Sequence, residues 1–121
     1  MPRGSTYTPE ELDTIIQRVN QLNQLHFRQT IKGVQLKYMK TRWGSCSSSG
    51  NISLSSRLLL APIEVLDYVI VHELAHRLEM NHSRNFWKLV HKADPNYKEK
   101  EEWLKKHGRT CEFWPLDKSD Q

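Results

Sequence analysis

At 121 residues the chain has room for one domain with one modest core, with 37% hydrophobic and 26% charged residues. No apolar run approaches the length of a bilayer span, and residues 1–5 lack the apolar stretch of a secretory leader, so the expected location is cytoplasmic and no membrane partner is expected. A net charge of +4 and a pI near 9.2 permit contact with nucleic acid without demanding it, and Cys46 and Cys111 show no disulfide-framework spacing.

Thr8-Pro9-Glu10-Glu11 reads as a helix start, with Thr as N-cap, Pro at the first helical position and Glu at the third. Leu12, Ile15, Ile16, Val19, Leu22 and then Leu25 or His26 follow at helical spacing, giving a backing helix whose His26 is structural rather than a ligand. Residues 30–40 alternate around Gly33, with Val34, Leu36 and Tyr38 on one face of a strand. Residues 42–47 and 51–54 form two short strands joined by a Ser/Gly turn, a hairpin. Gly44 inside a strand marks a bulge or a close approach to the backbone. Trp43, Gly44 and Ser45 therefore have two readings. Either the hairpin is a plain edge with Trp43 in the core, or this strand lies along a cleft and pairs with an extended substrate.

Pro62 opens a second helix predicted to run to about Met80, and it carries His72-Glu73-Leu74-Ala75-His76, an H-E-x-x-H pattern, with His82 after five more residues. Positions four apart lie on one helix face, so His72 and His76 aim at a common point and offer half of a tetrahedral zinc site. Glu73, at the edge of that face, stands where a general base belongs. A shuffled chain of this composition shows H-E-x-x-H in roughly two of a hundred cases, and requiring His82 as well lowers this to about one in a thousand. The surrounding Val69, Ile70, Val71, Leu74, Ala75 and Leu78 make the helix mostly apolar, and polar groups buried there cost several kcal/mol unless something satisfies them. For His82 to return to the metal the chain must turn sharply. Asn81 tolerates the left-handed conformation that ends helices, and Ser83 is a good N-cap for the next.

After Ser83 a helix carries Phe86, Leu89, Val90 and Ala93 with Trp87 beside them. Asp94-Pro95 caps another that ends near Gly108, with Trp103 and Leu104 as apolar anchors. Residues 109–121 hold Cys111, Phe113 and Trp114 and then turn polar, a tail expected to drape over the surface or fray. The organisation expected is a single domain over residues 1–121 with its core at about 8–108.

The residues Arg42-Trp43-Gly44-Ser45-Cys46, the 50–54 strand, Asp67-Tyr68, His72-Glu73-Leu74-Ala75-His76, Asn81-His82-Ser83, Phe86-Trp87 and Pro95-Asn96-Tyr97 resemble the YgjP-like metallopeptidases, cousins of the SprT-type proteases. The resemblance implies an α+β, zincin-like domain in which a mixed sheet or hairpin packs beside the H-E-x-x-H helix, with the N-terminal helix behind it. It also implies one Zn2+ on His72, His76 and His82, Glu73 as base, and a protein or peptide substrate. SprT-type relatives act on proteins attached to DNA, and the basic Arg42, Arg77, Arg84 and Lys88 make DNA or a DNA-bound protein a compatible partner.

Three alternatives remain open at this point. Peptide deformylases pair H-E-x-x-H with an upstream cysteine, so Cys46 could replace His82, or a downstream Glu99 or Glu102 could serve as third ligand. The YbeY-type endoribonucleases share the three-histidine offset, which keeps a metal-dependent nuclease or RNA-processing factor in view. They carry glycine where this chain has Glu73. A latent or non-catalytic DNA-associated zinc module, with residues 109–121 occupying the cleft, is the third. Tyr97, His107 and Arg42 are the candidates for oxyanion stabilisation.

Overall fold

The computed structural model describes residues 6–107; the tail with Cys111, Phe113 and Trp114 lies outside them, as does Gly108. Helix α1 spans Pro9–Leu22 and starts as its sequence demands: Glu11 N donates to Thr8 Oγ1 at 3.1 Å, and Thr8 N donates to Glu11 Oε1 at 2.8 Å. Its buried residues are Ile15, Val19 and Leu22. The 3.6-residue pattern does not extend to Leu25 and His26, which are both exposed, because Asn23–Phe27 forms a π-helical turn. The wider turn rotates the face by one residue, so Phe27 enters the core instead. Arg28 then ends the segment with φ 53°, in the left-handed region.

Strands β1 (Gly33–Lys37), β2 (Gly44–Cys46) and β3 (Asn51–Ser55) make a three-stranded mixed sheet in the order β1-β3-β2. β1 pairs with β3 in parallel, Leu36 opposite Leu54, and β2 pairs with β3 antiparallel, Ser45 opposite Ser53. β1 is shorter than the alternation suggested, and Tyr38 lies beyond it, exposed. In the turn between β2 and β3, Gly50 adopts φ 102°, a value that a β-carbon resists. The Arg77 guanidinium sits above it, donating to Thr30 O at 3.2 Å and Ser48 O at 3.0 Å. The hairpin is thereby tied to the end of the helix that carries the histidines.

A 3-10 turn, Ser56–Leu60, leads to α2 (Ile63–Ala75), then α3 (Arg84–Ala93) and α4 (Tyr97–His107). α2 is the centre of the core. Val65, Leu66, Tyr68 to Leu74 and Ala75 are all buried, which is why its composition is apolar on every side. Asp67, a partly exposed carboxylate on that helix, is held by Arg18 of α1 through two hydrogen bonds of 2.7 and 2.6 Å. No helix among the described residues is long and apolar enough to cross a membrane. The fold is α+β, four helices with a small mixed sheet.

α2 ends at Ala75, not near Met80. His76 N donates to Glu73 O, Arg77 N to Leu74 O and Leu78 N to Ala75 O, so the helix tightens into an i+3 turn. Asn81 does not take the left-handed conformation expected of it; among the described non-glycine residues Arg28 alone has positive φ. The reversal uses hydrogen bonds rather than a left-handed residue. Ser83 is the N-cap of α3, accepting from Phe86 N at 3.3 Å.

Candidate metal centre

Successive turns of α2 place His72 and His76 on one face, and the turn that follows returns His82 to them. One ligand atom from each of the three imidazoles lies within 4.8 Å of the other two, and all three side chains are buried. That spacing suits a single cation with imidazole donors. The buried triad could hold a metal ion.

The hydrogen bonds select which nitrogens face that point. His76 Nδ1 lies 3.0 Å from Glu79 O, and since a carbonyl can only accept, Nδ1 carries the proton and Nε2 keeps its lone pair. His72 Nδ1 lies 3.3 Å from Glu73 Oε2, an arrangement that fixes the same tautomer when the carboxylate is ionised. Burial holds His72 well below the ordinary histidine range, with His82 adding to the effect, and burial also lowers His76. Neutral imidazoles are the form a metal requires.

Glu79 joins the two halves of the loop. Its carbonyl accepts from His76, and its Oε1 accepts from Ser83 Oγ at 3.1 Å. The residue at the end of α2 and the cap of α3 are thus connected through one residue, by its carbonyl and its carboxylate, which fixes where His82 falls. Beneath the cluster lies Phe86, its ring 5.0 Å from that of His72, 4.5 Å from His76 and 4.8 Å from His82. An apolar bed of this kind restricts the rotamers of all three imidazoles. The sequence marks Phe86 as part of an apolar stripe and of the family resemblance, but not as the bed of the three histidines.

Glu73 is buried beside the triad, outside the ligand set. Burial raises its carboxyl to about 7, against the opposing pull of His76, His82 and Arg42. β2 makes room for it: a β-carbon on Gly44 would stand 3.2 Å from Glu73 Oε2. The close approach expected at Gly44 is made by this side chain.

The three hairpin residues named from sequence fare differently. Trp43 is buried, its ring covered by the Arg57 guanidinium at 3.9 Å, and its carbonyl accepts from Ser55 N. With Ser47 N bonded to Asn51 O as well, the antiparallel alternation turns the main chain of Ser45 toward β3. The main-chain groups of Gly44 and Cys46 therefore face the outer edge of β2. Cys46 is not part of the ligand cluster, and burial together with Glu73 raises its thiol to about 11, so it stays protonated at neutral pH. Glu99 and Glu102 are not part of the cluster either. Of the oxyanion candidates, Arg42 acts electrostatically on Glu73, and Tyr97 stacks on Tyr68 and Trp87, both of which pack on His72. His107 closes the far end of α4, stacked on Trp103 at 3.9 Å, about 15 Å along the helix from Tyr97.

Two archaeal structures share this architecture. The metallopeptidase zymogen abylysin of Pyrococcus abyssi superposes with a TM-score of 0.68 at 25% identity, covering 78% of this chain and 96% of that one. The metallopeptidase zymogen jannalysin of Methanocaldococcus jannaschii gives 0.64 at 24% identity, covering 76% and 94%, a likeness of fold. A UTP pyrophosphatase of Escherichia coli (strain K12) is 27% identical over 82 residues, 68% of this chain and 49% of the relative, so the chain spans about half the length of that curated relative. The family described as YgjP-like, metallopeptidase domain, matches residues 5–107, and the chain belongs to it.

Proposed function

We propose that this domain is a zinc-dependent peptidase, with His72, His76 and His82 as the ligands and Glu73 as the general base. The observation that carries the reading is the buried three-histidine cluster with a buried, protonatable carboxylate beside it. Zinc, when bound by three neutral imidazoles, supplies a Lewis acid and an acidified water near neutral pH. Glu73 takes a proton on its carboxylate and returns it to the leaving amine, work suited to a buried carboxyl that stands beside the ligands and outside their set. The outer edge of β2, at Gly44 and Cys46, aligns an extended polypeptide by main-chain hydrogen bonds. Arg42 and Tyr97 are the nearby groups suited to the carbonyl oxygen as charge develops there.

The nuclease and RNA-processing alternative is not favoured by these relatives, and a DNA-associated module gains no support from them. A second reading comes from the curated relative's printed activity, hydrolysis of a nucleoside triphosphate. Glu73→Gln tests both readings. The variant should bind zinc stoichiometrically and cut peptides roughly two to four orders of magnitude more slowly. Wild-type turnover of peptides in the variant would remove Glu73 from the mechanism. UTP hydrolysis without peptide cleavage by the wild type would replace the peptidase reading with the second one.

A further inference from the structure

Beside the histidine cluster, α3 and the start of α4 enclose an open cavity of about 760 Å3. One wall is a stripe of α3, where Arg84, Trp87, Lys88 and His91 recur three and four residues apart and so share a face. The other wall is the first turn of α4, with Tyr97 and Lys98. Arg84, Lys88 and Lys98 are exposed cations, set against one carboxylate, Glu99, among the described lining residues. Neither Arg84 nor Lys88 is in an ion pair with any described residue. Asp94, which could have neutralised this wall, gives its carboxylate to Lys100 Nζ at 2.7 Å. The N-terminal end of α4 adds its own positive dipole. The lining therefore carries an excess of positive charge.

Its distance from the chemistry sets what kind of anion. The His82 ring stacks on Trp87 at 6.0 Å, and Trp87 stacks on Tyr97 at 5.4 Å. The cavity therefore begins one ring away from the histidine cluster. An extended polypeptide advances about 3.3 Å per residue, so a side chain two or three positions from a bond held at the cluster reaches the cations. A nucleotide base fits less well. Trp87 and Tyr97 already belong to a stacked row that continues from His82 to Tyr68, so their faces are largely committed.

We propose that this cavity is a specificity subsite for an Asp or Glu side chain of a polypeptide substrate, two or three residues from the bond that is cut. The proposal rests on the peptidase reading and names its substrate class. Arg84 and Lys88 hold the carboxylate, Lys98 completes the field, and the exposed setting makes the selectivity sensitive to salt.

The test uses the full chain loaded with zinc and has two arms. In the first, wild type and Lys88→Glu digest a proteome-derived peptide mixture. Wild type should favour Asp or Glu at one position two or three residues from the cut by about tenfold, and Lys88→Glu should shift that position toward Lys or Arg. Where wild type cuts peptides, the absence of an acidic preference, or one that survives Lys88→Glu, overturns the proposal. In the second arm, Glu73→Gln binds fluorescein-labelled peptides of identical length carrying Asp, Ala or Lys blocks, read by anisotropy at low and high salt. Selective, salt-sensitive binding of the Asp peptide that Arg84→Ala with Lys88→Ala abolishes supports the subsite even if wild type cuts no peptide, which isolates a failure of the peptidase reading. Equal binding of the three peptides overturns the subsite. Displacement of the Asp peptide by micromolar UTP, lost in Lys88→Glu, overturns it in favour of a phosphate ligand.

Discussion

A β-carbon at Gly44 would lie 3.2 Å from both Cγ and Oε2 of Glu73, and equally close to Ser53 O. The strand and the helix meet where strand β2 has no side chain. Gly44 does not have positive φ, so alanine is compatible with its backbone and removes the flexibility that makes glycine unfavourable in a strand. Any damage from Gly44→Ala must then come through these contacts, and of the two partners the Glu73 side chain yields more readily than the main chain at Ser53. The carboxylate should be displaced while the three imidazoles stay in place. Peptide turnover should fall about tenfold to a hundredfold with zinc stoichiometry unchanged, and Gly44→Val should lose more. Equal activity in Gly44→Ala would show that Glu73 has a second workable position.

Phe86 supports all three histidines, with ring separations of 4.5–5.0 Å. It is fully buried. Phe86→Ala should cost about 3–5 kcal/mol in chemical denaturation. Phe86→Leu keeps most of the volume and should cost less than about 1.5 kcal/mol. In the folded Leu variant zinc affinity should nonetheless fall by about tenfold or more, because the flat surface that restricts the rings is lost. An unchanged affinity, measured by competition with a chromophoric chelator, would make Phe86 an ordinary core residue.

Much of this site can be read in the sequence because the chemistry needs fixed spacing along one helix. His72, Glu73 and His76 were placed by periodicity, and the Thr8 and Ser83 caps by residue type. What could not be read depends on atoms distant in sequence or on a change of helical pitch. The π-helical turn at Asn23–Phe27 leaves the periodic pattern without a break in composition, so the spacing points to Leu25 or His26 on a face that Phe27 occupies. Glu79 acts through partners three residues before it and four after it, across a turn that periodicity does not describe. Its bonds to His76 and Ser83 replace the left-handed turn expected at Asn81. Gly44 announced a close approach but not the partner.

Metal removal should separate the ligand schemes. Zinc binding only to the folded chain stabilises it by about 2.7 kcal/mol when free zinc is a hundred times Kd. Treatment with a chelator should lower Tm by several degrees, reversibly. His82→Ala should lose most of that zinc-dependent shift, whereas Cys46→Ser should keep both the shift and one zinc per chain, since Cys46 is not part of the cluster. A zinc-dependent shift that survives His82→Ala and disappears in Cys46→Ser would reverse the assignment.

The buried carboxyl of Glu73 makes the metal-free protein sensitive to pH in a direction opposite to that of most acids. Its folded value is about 7, raised by burial from 4.5. Between those values the folded chain binds more protons than the unfolded chain, so this group's contribution to stability is present at low pH and declines as pH rises through 7. His72 and His76 act the other way, because burial lowers both, and the folded chain gains from them as pH rises toward 6.5. Comparing wild type with Glu73→Gln in chelator isolates the carboxylate, since glutamine mimics the protonated acid while both histidines remain. The two proteins should have similar stability near pH 5, and Glu73→Gln should be more stable by about 1–3 kcal/mol at pH 8. Urea unfolding at the two pH values measures this difference. If the gap is the same at both, the carboxyl is not held in its protonated form by burial, and its fitness as a base near neutral pH needs another cause.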